Sequence, residues 1–156
     1  MEKIELAAVL NRAADYLDAH GLRSGSWGSP GGPACMNAAL AIALDRNPAA
    51  LGRMCFFNPR ANPTPAAVGA VILESGLLEI LPVPQAEPGA VRRTRRAGIG
   101  PRRAVIELAA WSDVPGRTAA AAAGALRSHA VALMRAQRPA SRPPAIPTSE
   151  PVLVSA

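Results

Sequence analysis

The sequence predicts an all-α fold, a small bundle of about five helices, and three observations carry that expectation. Apolar residues make up 49% of the 156 positions while aromatics make up only 3%. The interior must therefore be assembled from Ala, Leu, Val, Ile and Met, a palette that suits helices better than the aromatic and β-branched residues that strands select. Apolar positions recur at three- and four-residue spacing through most of the chain, and clusters of Pro and Gly punctuate it between those stretches. A chain of this length fits one domain with a real core. We expect a single helical domain over 1–138, with a basic Pro/Gly-containing loop at 82–103 inside it, followed by a disordered Pro-rich tail at 139–156.

The first helix is expected from Glu2 to His20. Leu6, Leu10, Ala13, Ala14 and Leu17 take one side, and Glu5, Arg12, Asp15 and Asp18 the other. Gly21 is its natural stop, and His20 near the end favours the helix dipole. Gly25, Gly28, Pro30, Gly31, Gly32 and Pro33 around Trp27 make a loop. Pro33 suits the first position of a second helix, Ala34 to about Arg46, with Met36, Leu40, Ala43 and Leu44 on one face; Asn47-Pro48 ends it.

A short turn over Pro48 to Met54 is followed by Asn58-Pro59, Asn62-Pro63 and Pro65, which enforce an extended loop. Thr64 and Pro65 form an N-cap and N1 pair for a third helix through Val68, Val71, Ile72 and Leu73, which Gly76 ends or weakens. Leu77 to Val83 fits either a last helical turn or a short strand. A helix resumes from Arg102 or Arg103 to Trp111 through Val105, Ile106, Leu108 and Ala109, and Ser112 to Gly116 interrupts it. Thr118 is the expected N-cap of the last helix, which carries Leu126, Val131, Leu133 and Met134 to about Arg138, where Pro139 stops it.

The net charge of +6 is local. Arg92, Arg93, Arg95, Arg96, Arg102 and Arg103 stand together with no acid among them. Of seventeen basic residues these six leave eleven, against eleven acidic ones. The basic character thus belongs to one segment and not to a fold-wide surface. The near-exclusive use of Arg over Lys, beside abundant Ala, Gly and Pro, also fits GC-rich coding.

Two cysteines, Cys35 and Cys55, are too few and too far apart for a disulfide framework or a C-x-x-C site, and both are expected as free thiols. Met1 to Glu5 carries acids and leads into an amphipathic pattern, so no secretion signal is expected. The longest apolar stretches are broken by Glu74 and by Arg127 and His129, short of the ~20 residues of a membrane span. These features point to a cytoplasmic protein with no membrane association and no cofactor.

Three pieces carry a resemblance: Leu10-Asn11-Arg12-Ala13-Ala14-Asp15-Tyr16-Leu17, Cys35 heading an Ala-rich helix, and Trp111-Ser112-Asp113-Val114-Pro115-Gly116-Arg117-Thr118. Together they resemble a family of short, uncharacterised helical proteins of actinobacteria and their phages, in which the last motif usually reads W-N-D-x-x-G-R-T. Ser112 stands here for the Asn, and the Pro- and Arg-rich middle is unlike that family. The resemblance covers the first ~45 residues and roughly 104–138, and implies no reaction, cofactor or ligand.

Four features are candidate sites. In the Trp111 to Thr118 turn, Thr118 can cap, Asp113 can accept backbone N–H groups or pair with Arg117, and Trp111 can pin the turn to the core; the competing reading has Asp113 and Arg117 bind a ligand in a cleft. The Ser24 to Pro33 loop before a helix suggests an anion site, but lacks the Lys-Ser/Thr ending of a P-loop, and a plain connector is the stronger reading. Cys35 stands where a helix N-terminus would activate a thiol, yet an Ala-rich helix argues for burial. His20, Cys35, Cys55 and His129 match no zinc spacing, and no metal is expected.

The six arginines are the sharpest feature. They suit phosphates, or an acidic protein partner, or a solvated linker, and with no aromatic among them any nucleic-acid contact would be non-specific. The leading functional expectation is a non-enzymatic domain that binds an as yet unknown protein. A non-specific nucleic-acid-associated protein using 92–103 is the first alternative, and a ligand-binding protein or enzyme at the Trp111–Thr118 turn the second.

Overall fold

The computed structural model describes residues 1–55, 62–81 and 99–137, and the architecture they form is all-α. The elements are α1 Lys3–His20, α2 Met36–Asp45, a 3₁₀ helix Pro48–Cys55, α3 Thr64–Ser75, α4 Leu77–Ile80, α5 Pro101–Ser112 and α6 Ala119–Arg135. Of the sequence expectations, Arg92, Arg93, Arg95, Arg96 and the tail at 139–156 lie outside the described residues.

One cluster of apolar side chains draws on every one of these helices, and α1 is its spine. Leu6, Leu10 and Leu17 are fully buried there with Ala13 and Ala14, and Ala122, Ala123, Leu126, Ala130 and Leu133 of α6 complete the same cluster. Ser24 and Gly25, just past α1, meet Ser112 and Asp113, just before α6, while Arg127 within α6 reaches back to Asp15 and Asp18. The two helices therefore run antiparallel. Arg127 bridges both acids on the exposed side, with 2.5 Å and 2.7 Å contacts, a surface pair of modest energy.

Helix α2 departs from its expected one-sided pattern. Every residue from Met36 to Ala43 is buried, which makes it the central helix. Inside it, Asn37 Nδ2 donates to the Val105 carbonyl of α5 at 2.9 Å with the side chain wholly out of solvent. The expected start at Ala34, after Pro33, is corrected to Met36, with Cys35 as N-cap. Ala34 is held extended by backbone bridges to Leu22 and Gly28, and its N–H goes to the Gly21 carbonyl, so the helix cannot begin until these are satisfied.

Two further boundaries shift by a residue or so. Thr64 is the first residue of α3 and not its cap; Pro63 holds that position, and Asn62 Oδ1 accepts the Thr64 N–H at 3.2 Å. Pro101 rather than Arg102 opens α5, taking the N1 position that tolerates a missing N–H. Gly76 does end α3, in the left-handed region at φ 71°, and Leu77 to Ile80 is a helical turn and not a strand. Where α3 crosses α5 the backbones nearly touch: a Cβ at Gly69 would lie 2.3 Å from the Pro101 carbonyl oxygen.

On α6, Leu126 and Leu133 are buried as expected, whereas Val131 and Met134 are 48% and 43% exposed. His129 is also inside, its Nε2 against the Ser75 carbonyl at the end of α3. Among the described residues no helix is long and apolar enough to cross a membrane.

Candidate functional site

The loop after α1 and the turn before α6 form one structure. Within the loop, Arg23 N–H donates to the Ala34 carbonyl, Gly32 N–H to Ser29 and Cys35 N–H to Trp27. Tyr16 Oη of α1 donates to the Gly32 carbonyl at 2.9 Å. Gly28 has φ 101°, and a Cβ there would stand 2.0 Å from the Pro33 oxygen, so only glycine fits. The backbone donators of this loop named here close on its own carbonyls, which supports the connector role over anion binding.

Against this loop sits the Trp111–Thr118 turn. Trp111 is 5% exposed, and the Arg117 guanidinium carbon lies 3.7 Å from its ring centroid while Nε donates to the Trp111 carbonyl at 3.2 Å. The stacked cation covers the indole and closes the turn. Thr118 Oγ1 accepts the Ala121 N–H at 3.1 Å, the predicted N-cap. Asp113 accepts a backbone N–H, but from Gly25 across the molecule at 2.9 Å, and no ion pair to Arg117 forms among the described residues. Ser24 Oγ adds a 3.4 Å contact to the Ser112 carbonyl. Thus Asp113, with the Ser112 carbonyl, joins the α5–α6 connection to the α1–α2 loop, while Trp111 and Arg117 close the turn on itself and Thr118 caps α6.

Cys35 lies beneath this junction, buried at 4% exposure. Burial pushes its thiol up to about 11, outweighing backbone N–H groups at the start of α2 that favour the thiolate; Asp113 adds to the rise. Desolvation therefore wins over the helix terminus, and the thiol is protonated at neutral pH. Among the described residues no three His, Cys, Asp or Glu side chains gather where a metal ion would be held. His20 instead lies against Tyr16, ring centroids 4.3 Å apart.

Of the arginine segment, Arg102 and Arg103 are exposed in the first turn of α5 and not in a loop. Arg103 pairs with Glu107 at 3.0 Å one turn on. Cations at a helix N-terminus oppose its dipole, so this pair stands where it contributes least to the helix.

A second concave surface was not legible in the sequence. Between the first half of α1 and the end of α2 lies a groove of about 350 Å³, lined by apolar Ile4, Val9 and Leu44 and by Glu5, Arg12 and Arg46. Arg12 Nε donates to the Ala43 carbonyl at 3.0 Å, fixing its guanidinium at the end of α2. Arg46 is the C-cap of α2 at φ 53°, the one non-glycine positive φ among the described residues. A side chain there costs about 1 kcal/mol relative to glycine. Arg12 and Arg46 are 34 residues apart, and in the sequence they stand only as one polar-face residue of the first helix and the approximate end of the second.

A family model, described as a family of unknown function (DUF6197), matches residues 1–132. No curated protein and no solved structure matches the chain.

Proposed function

Because the chain belongs to the DUF6197 family of unknown function, we propose from its own geometry that it is a non-enzymatic, cytoplasmic domain over 1–138 that acts by binding another macromolecule, a protein before all else. The observation that carries this reading is the division of labour at the surface. The Asp113 carboxylate, the Arg117 guanidinium and the Thr118 hydroxyl are each engaged within the architecture, which argues against the ligand-binding or enzymatic alternative there. What the helices offer outward instead includes large apolar side chains: Val131 and Met134, one turn apart on α6, and Ile106, 50% exposed on α5. Capture from a lysate of the source cells, using the full chain and a Val131→Asp, Met134→Asp double variant, tests it. A set of proteins retained by the native chain and lost by the folded variant supports the reading; identical sets from both sink it.

A second reading is favoured by the placement of Arg102 and Arg103. Two exposed cations at the dipole-disfavoured end of α5, a few residues downstream of Arg92, Arg93, Arg95 and Arg96, suit a non-specific contact with nucleic acid phosphates. Fluorescence anisotropy of labelled duplex and single-stranded oligonucleotides, at low and physiological salt, separates the two. Binding that falls steeply with salt and is lost when Arg92, Arg93, Arg95 and Arg96 are changed to Gln supports nucleic acid; no binding at low salt removes it.

A further inference from the structure

We propose that the groove between α1 and α2 is a binding site for a small amphipathic anion, its apolar body on Ile4, Val9 and Leu44 and its acidic head at Arg12 and Arg46. The groove is open to solvent, and its volume of about 350 Å³ falls at the small end of the range that small ligands occupy. Ile4 is 54% exposed in it, an apolar surface of the kind an aliphatic body would cover.

The polar side of the groove matches in sign. Arg12 is held in place by its Nε bond to Ala43, which also occupies a carbonyl that would otherwise repel an anion at this helix end. Arg46 is close enough that it, together with burial as the larger cause, lowers the pKa of Arg12. Two like charges drawn together and partly desolvated are relieved by a shared anion. The other lining charges are engaged locally: the Met1 ammonium pairs with Glu74 at 2.8 Å, and the Glu5 carboxylate accepts the Glu2 N–H at 3.3 Å.

The backbone of Arg46 supplies an independent argument. Glycine is the favoured residue at a left-handed C-cap, yet an arginine stands there, directed onto the groove it lines. Strain retained at a position that stability alone would give to glycine points to use of the side chain.

The same fact makes the test clean, because Arg46→Gly relieves the backbone while removing the charge. Isotope-labelled full-length chain is titrated with sodium octanoate and with 1-octanol, followed by amide chemical shifts, for the native protein, Arg46→Gly and Ile4→Gln. We expect octanoate to shift residues around Ile4, Val9 and Leu44 and octanol to bind more weakly. Arg46→Gly should lose about tenfold in octanoate affinity while melting no lower than the native chain. Ile4→Gln should weaken octanoate and octanol alike. An octanoate titration without localised shifts, equal affinity for octanol, or undiminished binding by Arg46→Gly would each overturn the proposal.

Discussion

Adding one methyl group at Gly69 should unfasten α3 from α5. In the interior of α3, Gly→Ala on propensity alone favours folding by about 1 kcal/mol. Here the new Cβ would lie 2.3 Å from the Pro101 oxygen and 2.6 Å from its Cα and carbonyl carbon, all backbone atoms. Restoring an ordinary contact of at least 3.4 Å requires the start of α5 to move by about 1 Å. Overpacking against an unyielding neighbour costs about 3 kcal/mol, so the net loss is about 2 kcal/mol. At roughly 4 °C per kcal/mol for a domain of this size, the melting temperature should fall by about 8 °C. Gly124, exposed in α6 with nothing within 4 Å of its Cβ position, is the internal control. Gly124→Ala should raise the melting temperature by about 4 °C. Thermal unfolding followed by circular dichroism, with urea titration to confirm an unchanged m-value, reads both. A Gly69→Ala protein as stable as the native one would refute the close crossing and the placement of α5 that depends on it.

Cys35 should be inert and should confer a pH dependence. With Cys55 changed to Ser, a thiol reagent such as dithionitrobenzoate should label Cys35 only after unfolding. Its folded pKa of about 11 lies above the ordinary thiol value of 9.0. The unfolded chain therefore releases the proton first, and the associated stability, on the order of 2 kcal/mol, is present below about pH 9 and lost as pH rises toward 11. Urea midpoints measured across that range should fall, and Cys35→Ala should flatten this component; a flat native profile would contradict the burial. Asp113→Ala should cost only about 1 kcal/mol, since the carboxylate is exposed, but should abolish exchange protection of the Gly25 amide. Unchanged Gly25 protection would show that the junction is held without it. Thr118→Ala should cost about 1 kcal/mol in urea unfolding, and a smaller effect than Ser128→Ala on the exposed side of α6 would deny the cap.

Most of the fold was legible because it is locally encoded. The Leu6, Leu10 and Leu17 periodicity, the stops at Gly21 and Gly76 and the Thr118 cap each depend on residues within a turn of themselves. What escaped depends on partners distant in sequence. The start of α2 moved because Leu22 and Gly28 hold Ala34 extended, and Asp113 found its donor 88 residues away at Gly25 and not at Arg117. Likewise Arg12 read as one solvated charge on an amphipathic helix; nothing within α1 announces that Ala43 and Arg46 stand beside it. The stacking of Arg117 on Trp111 was within reach of the sequence, six residues apart across a Pro-Gly turn.

The antiparallel pairing of the first and last helices sets an order of events during synthesis. Asp15 and Asp18 wait for Arg127, 112 and 109 residues downstream. At a translation rate of about 5 to 20 residues per second, the nascent α1 emerges and then stays without its mate for roughly 5 to 20 seconds. The part of its apolar side that α6 covers is open to chaperones throughout that interval. Closure of the bundle thus waits for α6, and a nascent chain halted before Ala119 leaves the α6-facing side of its spine uncovered.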